Sequence, residues 1–289
     1  MDLSPDRPSL RTVTSTVRTA DGVELATEHH PVPGCRGRIV IVHGYAEHKG
    51  RYRQLVADLA AAGYGCHLLD LRGHGESGGV RGHVSRFEEY RTDLDCFLDE
   101  VRTFAATPVP LLLLGHSLGG LIALDYVLHR PEVFAAVTTS SPFLAPVLAI
   151  PFFERLLLRL AANIVPTFAV RSGLDPKGLS HDERVVEEYA ADPKVFPTVT
   201  LGWFSAVETA QKEVFEAAHA IVVPILVLLG GADPIADPER SRDFFARLGS
   251  TNRRLVVYPG LCHEVFNELG RAEVVGDLVE WLDQRTAAS

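Results

Sequence analysis

Short apolar runs alternate with amphipathic segments along most of the chain. The apolar runs have the length of strands and lie at residues 38–42, 65–70, 109–114, 133–139, 222–229 and 254–258. Segments with apolar residues at helical spacing follow most of them, at 51–62, 86–104, 120–130, 238–248 and 272–285. Apolar runs without polar alternation are typical of strands buried on both faces of a parallel sheet. The repeated units therefore predict an α/β fold with a mostly parallel, doubly wound sheet.

Two stretches depart from this alternation. Residues 11–30 carry β-branched and apolar positions on both sides of Asp21-Gly22, which predicts an antiparallel hairpin. Residues 141–217 contain no obvious core strand, and their pattern predicts helices at 147–162, 182–190 and 201–217. The first of these helices is strongly apolar. We therefore expect an inserted helical cap at 141–217, between two parts of an α/β core at 1–140 and 218–289.

The pentapeptide Gly115-His116-Ser117-Leu118-Gly119 joins a predicted strand to a predicted helix. In this context the G-x-S-x-G pattern forms a tight turn that holds its serine at a strained, exposed apex. The two glycines relieve the crowding of the backbone at such a turn. The helix N-terminus behind Ser117 offers free N–H groups to a developing oxyanion. Ser117 is thus a predicted nucleophile, and the N–H of Leu118 is a predicted oxyanion donor.

A serine nucleophile requires a histidine base and a carboxylate that orients it. Both should follow strands, because the site of an open α/β sheet lies at the carboxyl ends of its strands. His263 follows the last predicted strand, and Asp233 follows the strand before it, which gives the chain order Ser, Asp, His. Asp237 is the alternative carboxylate. The loop after the first core strand predicts a second oxyanion donor, the N–H of Tyr45.

Composition narrows the classes of function. The 289 residues include 28 Lys and Arg against 37 Asp and Glu, a formal net charge of −9, which disfavours nucleic acid and anionic membranes as partners. The four cysteines form no C-x-x-C pair and the histidines form no H-E-x-x-H, so we expect no metal site and no cofactor. The first residues lack the apolar core of a signal peptide, which favours a cytoplasmic location.

Four motifs, spread in order along nearly the whole chain, resemble the monoacylglycerol lipase and lysophospholipase branch of the α/β-hydrolases. They are His43-Gly44-x-x-Glu47-His48-x-x-Arg51-Tyr52, Asp70-x-Arg72-Gly73-His74-Gly75-x-Ser77-x-Gly79, Gly115-His116-Ser117-Leu118-Gly119-Gly120 and Tyr258-Pro259-Gly260-x-x-His263-Glu264. The resemblance implies an α/β-hydrolase fold in which the serine attacks a fatty-acyl ester. It places the triad on Ser117, Asp233 and His263. It places the oxyanion donors on Tyr45 and Leu118.

We therefore expect a serine hydrolase of single-chain acyl esters, with monoacylglycerol as the favoured substrate. A lysophospholipase or a general carboxylesterase would use the same triad, and an acyltransferase would pass the same acyl-enzyme to an alcohol. A non-catalytic binding protein would be expected to lack a triad residue, and none is missing. The apolar cap helix is expected either to pack on the core or to form an acyl-chain tunnel and contact a lipid surface transiently.

Overall fold

The computed structural model describes residues 11–104, 108–148 and 151–287. Its strands are β1 (Val13–Arg18), β2 (Glu24–His30), β3 (Gly37–Val42), β4 (Tyr64–Leu69), β5 (Leu111–His116), β6 (Ala136–Ser140), β7 (Ala169–Arg171), β8 (Thr198–Thr200), β9 (Ile225–Gly230) and β10 (Arg253–Tyr258). Its α-helices are α1 (Arg53–Ala61), α2 (Glu88–Thr103), α3 (Leu118–His129), α4 (Phe152–Ala162), α5 (Glu183–Ala191), α6 (Leu201–Glu216), α7 (Pro238–Arg247) and α8 (Arg271–Thr286).

The main sheet has eight strands in the order β1-β2-β4-β3-β5-β6-β9-β10. The pairs β1–β2 and β2–β4 are antiparallel, and every later pair is parallel. The predicted hairpin therefore forms one edge of the sheet. The carboxyl ends of the parallel strands all lie at the same edge of the sheet. The loops after β3, β5, β9 and β10 meet at that edge.

Two apolar layers enclose the sheet. All six residues of β3 are buried, and alternate side chains enter opposite layers, Val40 and Val42 on one side and Ile39 and Ile41 on the other. Helices α1 and α8 cover one face, whereas α2, α3 and α7 cover the other. Because β3 is buried on both faces, its sequence shows no polar alternation. Replacing a fully buried side chain such as Phe97 by alanine is expected to lower the stability by about 3–5 kcal/mol.

The chain between β6 and β9 adds no strand to the main sheet within its described residues. It contains α4, α5 and α6, together with β7 and β8, which pair antiparallel with each other. Helix α6 packs against α3, and α4 packs against α6. The two strands were not predicted, because three residues each are too short to show a period. Every helix among the described residues is too short or too polar to cross a membrane.

The first predicted helix of this segment begins later than its apolar pattern indicates. We expected a helix over 147–162, but α4 begins at Phe152, and Val147 and Leu148 lie in a bend. The predicted positions 149 and 150 lie outside the described residues. Pro151 precedes α4 with an extended ψ of 144°. A proline disfavours helical conformation in the residue before it. The apolar pattern therefore extends upstream of Pro151, whereas the helix begins only after it.

Candidate active site

Ser117 lies at the apex of the turn between β5 and α3. Its φ of 53° and ψ of −117° place it in a strained region that a residue with a side chain rarely adopts. A Cβ at Gly115 would collide with the carbonyl of Gly119, and a Cβ at Gly119 would collide with the carbonyl of Val42. The turn therefore requires both glycines, as the sequence pattern predicts.

Backbone hydrogen bonds hold this strained turn in place. The N–H of Ser117 donates to the carbonyl of Ser140 at 3.0 Å, and the carbonyl of Ser117 accepts from Leu121 at 3.1 Å and Phe143 at 3.0 Å. Leu118 is the first residue of α3, so its N–H has no acceptor within the helix. The positive end of the α3 dipole points to the same place. An anion forming on a substrate bound at Ser117 would be stabilised there.

His263 and Asp233 form a buried pair at the same edge of the sheet. The Nδ1 of His263 lies 2.7 Å from the Oδ2 of Asp233, and the two residues are 3% and 6% exposed. The other oxygen of Asp233 accepts the N–H groups of Ile235 at 2.8 Å and Ala236 at 3.0 Å. Burial disfavours the charged imidazolium, but the charge and hydrogen bond of Asp233 outweigh it and raise the pKa of His263.

The alternative carboxylate, Asp237, has a different contact. It is the N-cap residue of α7, and its Oδ1 accepts the N–H of Glu239 at 2.9 Å. A short polar side chain at this position satisfies one of the free N–H groups of the first turn. The structure thus brings Asp233, and not Asp237, to the imidazole of His263.

The serine turn and His263 are neighbours. The ring of His116, the residue before Ser117, lies 4.8 Å from the ring of His263 between centroids. The Nδ1 of His116 is hydrogen-bonded to the Oγ of Ser140 at 2.8 Å. Burial, assisted by the nearby His263, lowers the pKa of His116 to about 3. His116 therefore stays neutral and does not compete with His263 for a proton near neutral pH.

The loop after β3 passes directly over Ser117. A Cβ at Gly44 would lie 3.1 Å from the Cβ of Ser117, so the absence of a side chain there lets the two backbones approach. The next residue is Tyr45, whose N–H donates to no other described residue. Its hydroxyl lies 3.0 Å from the carbonyls of both Gly82 and Thr198. These contacts fix the loop against the segment that contains β8.

A buried ionic network behind the site was missed in the sequence. Arg51 donates from Nη2 to both oxygens of Glu264, at 2.8 and 2.6 Å, and from Nε to Glu47 at 3.1 Å. Burial, together with the charge of Glu264, raises the pKa of Glu47 to about 7. A small cavity is lined by Glu47, Glu264 and His116, among others. The motifs contain all these residues, but their spacing did not indicate that they meet.

A family model described as "Serine aminopeptidase, S33" matches residues 33–270, which is most of the chain. The chain belongs to this family of serine hydrolases. Among the relatives of this chain, a monoacylglycerol lipase of Mycolicibacterium smegmatis is 34% identical to it over 260 residues. The match covers 86% of this chain and 88% of the relative. A longer, uncharacterized abhydrolase domain-containing protein of Dictyostelium discoideum is 31% identical over 249 residues, 86% of this chain but only 26% of its own length.

A solved structure extends the likeness to the whole fold. The crystal structure of the Paleococcus ferrophilus monoacylglycerol lipase matches the hydrolase with a TM-score of 0.81 and 32% identity, over 96% of this chain and 100% of that one. The predicted α/β-hydrolase fold and the predicted family are therefore confirmed. The catalytic roles of the five predicted residues stay proposals.

Proposed function

We propose that this serine hydrolase cleaves single-chain acyl esters, monoacylglycerol in particular, through an acyl-enzyme on Ser117. One observation carries the proposal: the buried hydrogen bond of 2.7 Å between His263 and Asp233, next to the strained turn that presents Ser117. The likeness to proteins named monoacylglycerol lipase supports the choice of substrate. Ligand binding alone does not require a strained serine beside a histidine–carboxylate pair.

The reaction begins with a proton transfer. With Asp233 ionised, Nδ1 of His263 donates to the carboxylate, and Nε2 keeps a lone pair for the Ser117 hydroxyl proton. The Oγ of Ser117 then bonds to the ester carbonyl carbon, and the carbonyl oxygen becomes an oxyanion. The N–H groups of Leu118 and Tyr45 donate to that oxyanion. Removing one such donor from a serine hydrolase typically lowers kcat by about 10²–10³.

Two further steps complete the turnover. The imidazolium of His263 gives its proton to the leaving alcohol as the carbon–oxygen bond breaks, which leaves the acyl group on Ser117. Water then loses a proton to His263 and attacks the acyl carbonyl, and the fatty acid departs while Ser117 recovers its proton. The base must be neutral at the start of each half-reaction, so the rate should fall when the pH drops below the pKa of His263.

We propose residues 141–217 as the cap over this site and as a transient contact with lipid surfaces. Large apolar side chains project from it: Leu148 is 84% exposed, Leu157 65%, Ile164 81% and Phe168 59%. All four come from one stretch of the chain, and exposed apolar surface concentrated in one region is typical of sites that contact lipids or other proteins. The net charge of −9 would not attract an anionic bilayer, so apolar burial must supply the affinity. We also propose a cytoplasmic location, which cell fractionation would test.

The substrate is tested by comparing hydrolysis rates across ester classes. The series contains 1-monooleoylglycerol, lysophosphatidylcholine and p-nitrophenyl esters from acetate to palmitate, with Ser117→Ala as the control. We expect the highest kcat/KM on monooleoylglycerol and on medium or long acyl chains. Activity confined to the acetate and butyrate esters would instead indicate a carboxylesterase of small esters. Acyl-glycerol products formed with added glycerol would indicate an acyltransferase.

A further inference from the structure

Three potential metal ligands of different chemistry converge beside the loop that carries His263. Among the described residues, His181, Cys262 and Glu268 have ligand atoms that all lie within 4.8 Å of one another. The Sγ of Cys262 lies 3.6 Å from the Nδ1 of His181, and that nitrogen lies 2.8 Å from the Oε1 of Glu268. His181 precedes α5 in the proposed cap, whereas Cys262 and Glu268 follow β10.

These spacings are close to those of a tetrahedral zinc site. With Zn–S of about 2.3 Å and Zn–N of about 2.0–2.1 Å, tetrahedral angles separate the two donor atoms by about 3.6 Å. In the same geometry the nitrogen and the carboxylate oxygen lie about 3.4 Å apart, so this pair would need to separate by about 0.6 Å. The His181 side chain is 54% exposed, so its ring has room to make that adjustment.

Neighbouring backbone groups hold the carboxylate in position. Glu268 is 2% exposed, and its Oε1 accepts the N–H of Cys262 at 2.8 Å. Its Oε2 accepts the N–H of His181 at 3.0 Å. Hydrogen bonds of this kind orient a metal ligand before the ion arrives and add to its affinity. Because the His181 side chain is 54% exposed, water can reach the cluster as a fourth ligand.

We propose that His181, Cys262 and Glu268 bind one Zn²⁺ ion, with water as the fourth ligand. Binding takes Cys262 as the thiolate, Glu268 as the carboxylate and His181 as the neutral imidazole, and the thiol proton leaves to solvent. The charges of the thiolate and the carboxylate then balance that of the ion. This mixed sulfur, nitrogen and oxygen set suits Zn²⁺ better than Mg²⁺ or Ca²⁺, which prefer oxygen ligands.

The ion would join the proposed cap to the loop of the proposed base. These two segments already touch, because the N–H of His263 lies 3.3 Å from the carbonyl of Gly178, and the N–H of Glu264 lies 2.8 Å from that of Leu179. Cys262 directly precedes His263. A bound ion would add three strong bonds to these contacts and restrict both segments, so we expect Zn²⁺ to slow ester hydrolysis. This proposal departs from our expectation of no metal site, which rested on short spacing motifs, whereas His181 and Cys262 are 81 positions apart.

The test uses Co²⁺ as a spectroscopic substitute for Zn²⁺ in the full chain. We expect one Co²⁺ per chain, with a near-ultraviolet thiolate-to-cobalt band that Zn²⁺ displaces. The band should disappear in Cys262→Ser, persist in the matched control Cys96→Ser, and need at least about tenfold more Co²⁺ in His181→Ala. His181 is exposed, so its variant folds even if Cys262→Ser does not. No band in the wild type, or equal affinity in His181→Ala, would overturn the site.

The effect on hydrolysis is measured separately with a soluble p-nitrophenyl ester. Zn²⁺ should lower the rate of the wild type and leave the rate of His181→Ala unchanged. Equal inhibition of both proteins would place the inhibitory ion elsewhere and overturn the link between this site and the base. Because the cobalt band does not depend on turnover, the metal site can fail or hold independently of the proposed function.

Discussion

Replacing Asp233 by Asn should reverse the tautomer of His263. The Oδ1 of Asp233 accepts the N–H groups of Ile235 and Ala236, and its Oδ2 faces the Nδ1 of His263 at 2.7 Å. An amide NH₂ group cannot accept those two N–H groups, so the new side chain must keep its carbonyl oxygen there. Its NH₂ then faces Nδ1, and His263 carries its proton on Nε2. In that form it cannot take the proton of Ser117.

The expected loss of activity is large. The corresponding change in a serine protease lowers kcat by about 10⁴, which is about 5.4 kcal/mol of transition-state stabilisation. Because Asp233 and His263 are both buried, solvent cannot supply the missing orientation. Loss of the carboxylate charge should also lower the pKa of His263, which Asp233 raises in the wild type. The acid limb of the residual kcat/KM should therefore move to lower pH.

The assay is hydrolysis of p-nitrophenyl butyrate as a function of pH, with Asp237→Asn as the matched control. Asp237 caps α7, and Asn caps helices about as well, so this control should keep wild-type activity and Tm. If Asp233→Asn retained more than about a tenth of the wild-type kcat/KM, or if Asp237→Asn lost as much, the assignment of the carboxylate would be refuted.

Three further predictions follow from other parts of the structure. Gly82→Ala should lower the free energy of unfolding in urea by about 1–3 kcal/mol, because Gly82 has a φ of +60° and a Cβ there would collide with the Tyr45 hydroxyl. In the folded chain the pKa of Glu47 is raised from 4.5 to about 7. The free energy of unfolding of the wild type, relative to that of Glu47→Gln, should therefore fall as the pH rises from 4.5 to about 7. A difference between the two proteins that does not change with pH would contradict this prediction. Leu157 is 65% exposed, so Leu157→Glu should slow hydrolysis of monooleoylglycerol in vesicles but not hydrolysis of soluble p-nitrophenyl butyrate. An equal loss of rate on both substrates would argue against contact with the lipid surface.

The elements that the sequence predicted well are those whose signal is local. Strands such as β3 and β9 are buried on both faces, so they appear as apolar runs, and the turn at Ser117 requires its two glycines. Contacts between distant segments left no such signal. Arg51 and Glu264 are 213 positions apart, and neither periodicity nor spacing indicates that they pair. The late start of α4 shows the opposite case, where a proline stops a helix that the apolar pattern would continue.

The proposed mechanism requires that Ser117 forms the acyl-enzyme. The most direct measurement is labelling with a p-nitrophenyl alkylphosphonate, which phosphonylates activated serines, followed by mass spectrometry of the intact chain and of its peptides. We predict one adduct per chain, located on Ser117, formed at the rate at which esterase activity disappears and absent from Ser117→Ala. An adduct on a different residue, or a Ser117→Ala protein that still hydrolyses monooleoylglycerol at the wild-type rate, would contradict this role of Ser117.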